Sequence, residues 1–154
     1  MINETTKLLV CSHCDDEIIF FNPDDYDKIV IVFGDFGDKR GSTGGDARRN
    51  ALKELPYFNK IIHLNLVESN YWRDKSKKNE YWDGYNKLCD FLKTIKPLSV
   101  TTHSNDDRYG HDDHTLAYNA CMDSLDCPVN GKNPILYRTV KNIYKKHGVW
   151  TWNF

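Results

Sequence analysis

Five short apolar runs rich in β-branched residues punctuate the chain, at residues 7–12, 28–33, 60–67, 98–102 and 135–140. Their length and nearly unbroken hydrophobicity predict strands buried on both faces, as in a parallel sheet. Between them the rhythm changes. Over residues 79–95, Trp82, Tyr85, Leu88, Cys89, Leu92 and Ile95 recur at spacings of three and four, which predicts a helix with one apolar face, ended by Pro97. A second helix is predicted from Asp46, as N-cap, through Ala47, Asn50, Ala51 and Leu55 to Pro56, and a third from near Asp113 through Leu116, Ala117, Ala120 and Cys121. Residues 34–45 hold glycine at five of their positions and predict a long flexible loop, whose glycines lack the spacing of a phosphate-binding loop. Residues 141–154 mix Lys141, Lys145, Lys146 and His147 with Trp150 and Trp152, predicting a solvated tail packed by its tryptophans; its sharper use would be an oligomer contact or a rim for an anionic substrate.

Strands separated by helices predict an α/β fold, a three-layer Rossmann-like domain with a mainly parallel sheet. A chain of 154 residues fits one such domain, spanning 1–154. Ligands of these sheets bind beyond the carboxyl ends of the strands, where the strand order reverses. The residues that follow each strand therefore matter most.

Composition removes several alternatives. Hydrophobic residues at 40% and charged residues at 28% place the chain with globular proteins rather than disordered or membrane ones. A net charge of -1 supplies no field to draw it onto nucleic acid. The polar N-terminus lacks the order of a signal peptide and no apolar run is long enough to span a bilayer, so a cytoplasmic protein without membrane partners is expected. The five cysteines, Cys11, Cys14, Cys89, Cys121 and Cys127, cannot all pair within one chain, and free thiols suit a reducing compartment.

Two strands are followed at once by clusters of metal-ligand residue types. After the first comes Ser12-His13-Cys14-Asp15-Asp16-Glu17, and after the fourth comes the run from His103 to His114, which holds His111, Asp112 and Asp113. Alone, either segment reads as a polar loop of helix caps and turn formers. Two at the same end of one sheet read as the halves of a metal site. A catalytic divalent ion takes about three protein ligands and keeps a position open for water. His13, Asp16 and His114 supply that set. Adjacent carboxylates cannot both ionise at no cost, and a dication bound by Asp16 relieves the conflict while leaving Asp15 to accept a proton from water. Two imidazoles and a carboxylate suit zinc, and equally Fe2+, Mn2+ or Co2+.

These motifs resemble those of the LmbE-like, or PIG-L-type, N-acetylglucosaminyl deacetylases. The family's first motif reads Ala-His-Pro-Asp-Asp-Glu and its second His-Pro-Asp-His; here they stand as Ser12-His13-Cys14-Asp15-Asp16-Glu17 and His111-Asp112-Asp113-His114. The resemblance runs from residue 7 to about 140 in order and spacing. It implies that His13, Asp16 and His114 bind zinc and that Asp15 is the general base. His111 would stabilise the oxyanion or protonate the leaving amine, with Asp113 orienting it. Arg48, with Arg49 as runner-up, would contact substrate, and Asn70 falls where the family carries the aspartate of a Pro-Asp pair. The first helix is cut short by Pro23, and a further C-terminal subdomain is not expected. With few walls, the substrate implied is a small N-acetylated sugar in a site partly built by a homo-oligomer.

Two other readings compete. Cys11-Ser12-His13-Cys14 is formally a Cys-x-x-Cys, the pattern of a thiol redox pair, but that leaves Asp15, Asp16, His111 and His114 unexplained. A non-catalytic sugar- or nucleotide-binding module on the same fold would have no use for Asp15. Among the aromatics, core packing is expected for Trp82, whereas Tyr71 and Trp72 are the candidates for stacking on a sugar ring.

Overall fold

A computed structural model describes residues 1–105, 111–132 and 141–149. Its strands are β1 (Lys7–Cys11), β2 (Lys28–Phe33), β3 (Ile61–Leu66), β4 (Ser99–Thr102) and β5 (Val129–Gly131). All pair in parallel, in the order β3-β2-β1-β4-β5. The chain thus builds outward from β1 to β2 and β3, then crosses back and builds outward through β4 and β5. Right-handed crossovers place the connections of these two halves on opposite faces of the sheet.

The helices follow that rule. On one face α1 (Asp16–Ile19), α2 (Gly41–Lys53) and α5 (Lys141–Lys146) join Leu9, Cys11, Ile29 and Ile31 in one core, and Ile18, Ile19, Ala51, Leu52 and Tyr144 fill it. On the other, α3 (Lys78–Leu92) and α4 (Asp112–Ser124) cover Leu8, Val10, Val30, Val32 and Val100 with Leu88, Leu92, Leu116, Ala117 and Ala120. Alternate residues of β1 and β2 therefore enter opposite cores, the period-two geometry of a strand buried on both sides. No helix among the described residues is long and apolar enough to cross a membrane.

Four of the five expected strands lie where the apolar runs put them. The fifth run, residues 135–140, lies outside the described residues, as do Trp150 and Trp152 of the tail. The described part of that tail is solvated at Lys145 and Lys146 but is anchored by Tyr144, which is fully buried, while Lys146 and His147 both pair with Glu54. Helix α2 starts earlier than Asp46, taking in the last residues of the expected glycine loop. Gly44 and Gly45 allow this, since a Cβ on Gly45 would lie 1.9 Å from Asp35 Oδ1 and one on Gly44 2.4 Å from the Phe36 ring. In α3 the buried stripe is Tyr81, Gly84, Leu88, Cys89 and Leu92, so Trp82 is rotated outward, 47% exposed, with its ring edge-on to Tyr81 and Tyr85. Helix α1 is a single turn, followed by a 3-10 turn at Pro23–Asp25, as Pro23 predicts.

Candidate metal centre

Beyond the carboxyl ends of β1 and β4, where the strand order reverses, four histidines and four acids converge. The turn from β1 into α1 is tight. Asp15 has φ 82°, a left-handed conformation that aspartate tolerates better than most residues, and its side chain does not cap the helix. This turn brings Asp16 back under His13, whose N–H donates to Asp16 Oδ2 at 2.9 Å. From the other side, α4 begins with His111 as N-cap. Its Nδ1 accepts the Asp113 N–H at 3.2 Å, which places the proton of a neutral ring on Nε2. One turn into the helix, His114 is fully buried against Asp16.

Asp16 Oδ2 is the centre of the cluster. It lies 3.4 Å from His13 Nδ1 and 3.3 Å from His114 Nε2. Two donors each about 2.1 Å from a tetrahedral ion are separated by roughly 3.4 Å, so these spacings fit ligands of one ion. His13, Asp16 and His114 each offer a donor atom within 4.8 Å of the others. They are the three residues expected from the sequence, and they can hold a metal ion.

The charges around this set are uneven. Burial alone would raise the Asp16 carboxyl, but His114, His103 and His13 hold it well below its ordinary range. Burial raises Asp15 well above that range, with Asp16 and Glu17 adding to the effect. The two adjacent acids are thus split, one suited to coordination and the other to proton transfer. Burial, reinforced by His13, pushes His111 down to about 3 and keeps it a neutral donor.

Several partners were not expected from the sequence. The His13 ring is gripped at Nε2 by Asp113 Oδ2, at 2.9 Å, and by Glu68 Oε1, at 2.8 Å. Asp113 thus serves two rings, His13 through its carboxylate and His111 through its backbone N–H; its Oδ2 is 3.8 Å from His111 Nδ1. Glu68 follows β3 and sits at the same carboxyl edge as the two motifs, the one signal that could have marked it. His103, wholly buried, accepts the Ser12 N–H at Nε2 over 3.1 Å and stacks on His114 with ring centroids 3.7 Å apart. Beneath the site Glu17 is buried too, its Oε1 accepting from the Tyr57 hydroxyl at 2.9 Å and from that of Tyr144. Burial raises Glu17 to about 7 despite these donors.

Arg48 lies beside the cluster and is buried; Nη1 donates to Gly34 O at 2.8 Å and Nη2 to Glu68 Oε1 at 3.0 Å. Arg49 points elsewhere, to Asp35, Asp46 and Asn65. Asn70, at φ 63°, forms a turn whose carbonyl accepts the Arg73 and Asp74 amides. That turn carries Trp72 to His111, with ring centroids 4.9 Å apart and Trp72 38% exposed. Of the second motif's loop, residues 106–110 lie outside the described residues. Cys11 and Cys14 are both buried and free, and burial raises both thiols well above their ordinary range, which suppresses the thiolate that redox chemistry needs. No family model matches the chain, and no curated protein matches it.

Proposed function

We propose that this protein is a metal-dependent amide hydrolase of the LmbE-like deacetylase type, removing the acetyl group from a small N-acetylglucosamine-type sugar. What carries the reading is one observation: a carboxylate oxygen of Asp16 with His13 Nδ1 and His114 Nε2 at 3.4 and 3.3 Å, the spacing of ligands around a single ion. Zinc is the ion proposed, with Fe2+, Mn2+ or Co2+ as substitutes its ligands would accept. Such an ion, when bound, supplies Lewis acidity that brings the pKa of water toward neutrality.

The chain's own groups do the rest. Asp15 accepts the proton of the attacking water, and its raised affinity for protons suits a base working near neutral pH. Attack on the acetamide carbon generates an oxyanion, and neutral His111 donates from Nε2 to that oxygen or protonates the departing nitrogen. Acetate and a free amine result. Trp72, beside His111 and partly exposed, offers a wall at which a sugar ring would rest.

The test is metal analysis of the purified chain, followed by deacetylation assays on N-acetylglucosamine and derivatives of increasing size. One divalent ion per chain with acetate released from the small sugars is the expected result. A metal-loaded protein that hydrolyses no amide in the series would overturn the deacetylase assignment, and a chain that binds no ion would overturn the metal site as well.

A further inference from the structure

We propose that Arg48 is a positioning residue that holds the metal ligand His13 through Glu68, and that it does not contact substrate. The inference rests on the metal-site reading above, and it reverses the role that the family resemblance assigns to Arg48.

The geometry is a chain of two contacts through one atom. Glu68 Oε1 lies 3.0 Å from Arg48 Nη2 and 2.8 Å from His13 Nε2. All three side chains are shielded, with exposures of 7% for Arg48, 9% for Glu68 and 10% for His13. The other terminal nitrogen, Nη1, donates to Gly34 O at 2.8 Å, Nε is buried from solvent, and the Phe36 ring, 3.5 Å from Cζ, covers the guanidinium face. An arginine so enclosed presents little to a ligand. It bridges instead the ends of β2 and β3, a span suited to its planar fork and not to a lysine.

Electrostatics explains why a cation is needed. Two buried carboxylates, Glu68 and Asp113, face a single nitrogen of His13. That nitrogen carries one proton, so it cannot satisfy both acids alone, and a buried unpaired carboxylate is costly. The guanidinium offsets Glu68 and allows both acids to stay. Glu68 is also fixed through its backbone: its N–H donates to Asp35 O at 3.0 Å, and a Cβ at Gly37 would lie 2.0 Å from its carbonyl oxygen. Gripped at Nε2, the ring aims Nδ1 at Asp16. Partners of this kind on the far nitrogen of a ligating histidine fix its tautomer and orientation.

The experiment uses the full chain with Arg48→Met, Glu68→Gln and the double variant. Zinc affinity is measured by chelator competition, and the proton on His13 Nε2 is followed in long-range proton–nitrogen spectra of the metal-free protein. Each single variant is expected to lose about 10–100-fold in zinc affinity. Because Arg48 acts through Glu68, the double variant should lose no more than Glu68→Gln alone, and Arg48→Met should shift the His13 signal as Glu68→Gln does. Losses that multiply in the double variant would overturn the proposal. So would an Arg48→Met protein with wild-type zinc affinity and His13 signal but a raised KM, the mark of a substrate contact. Should Arg48→Met not fold, Arg48→Lys serves, since it keeps the charge but loses the fork, and the same two outcomes apply. A wild-type chain that binds no zinc would sink the metal reading of the previous subsection, and the His13 signal of the metal-free variants would still decide the Arg48–Glu68–His13 linkage.

Discussion

The two faces of the sheet are constructed differently. One is covered by two long helices, α3 and α4, of 15 and 13 residues, each consecutive with a strand it packs against. The other is patched in part: α2, of 13 residues, covers it as α4 covers its own face, but α1 has four residues, and the space beside it is filled from far along the chain by Tyr144 of α5, whose hydroxyl reaches Glu17 over a separation of 127 residues. The candidate metal centre lies on the seam between them, taking Asp16 from the patched face and His114 from the regular one. The difference teaches how each face meets the site: the regular face reaches it through the first turn of α4, whereas the patched part of the other is tied to it residue by residue, because Glu17, which anchors Tyr144, directly follows Asp16.

If both faces are needed for the ion, Asp16→Ala and His114→Ala should each abolish metal binding, as should His13→Ala, which removes the ligand between them. Stoichiometric metal retained in any of the three, measured by elemental analysis after dialysis, would mean that one side of the seam suffices. The next largest effect separates holding the ion from using it. Asp15→Asn should retain the metal and lose turnover by on the order of a hundredfold or more. Near-normal rates in that variant would move the base elsewhere, with Glu17 next in line.

A smaller contrast concerns stability. Leu88→Ala, in the regular face, should cost about 2–5 kcal/mol in denaturant unfolding and leave metal affinity alone. Tyr144→Phe, in the patched face, removes a donor from the buried Glu17 carboxylate and should cost about 1–3 kcal/mol, with a measurable loss of metal affinity because α1 loses its support. Equal metal affinity in the two variants would erase the distinction between the faces. The smallest effect lies at the rim of the patched face, where hydrogen bonds from Arg40 hold Asp38 down to about 2. A carboxyl lowered in the folded state stabilises it at pH above the unfolded value and loses that contribution as pH falls through the folded one. The stability difference between wild type and Arg40→Met should therefore be present at neutral pH, on the scale of about 0.2–1 kcal/mol for a surface pair, and vanish as pH falls from about 4 toward 2. A difference that persists undiminished at pH 2 would show that Arg40 acts by packing on Phe36 instead.

Strands β1 to β4 were legible as nearly unbroken apolar runs and α3 by its apolar spacings of three and four, the marks of elements buried against a sheet. The two motifs were readable for a different reason: the backbone brings the ends of β1 and β4 together whatever the rest does. Strand β5 was hidden, since Val129-Asn130-Gly131 after Pro128 reads as a turn, and only pairing with β4 makes it a strand. The start of α2 was hidden because glycine disfavours helix by about 1 kcal/mol per residue, and the close approach of Asp35 and Phe36 that requires Gly44 and Gly45 is tertiary. Glu68 looked like any loop acid, and Tyr144 like any residue of a basic tail. Both derive their roles from partners tens of residues away, which no local pattern records.

The pairing of β1 with β4 sets an order of events. Thr102 Oγ1 donates to Val10 O across 92 residues of chain, and every ligand pair that spans the seam depends on the same closure. The first motif can be synthesised, and β1, β2 and β3 can associate, while the ion still lacks its second imidazole. Closing so long a loop is entropically slow compared with local contacts. On the proposed reading, tight metal uptake would therefore coincide with the last large step of folding, and the rate of metal capture during refolding would be a clock for the insertion of β4 beside β1.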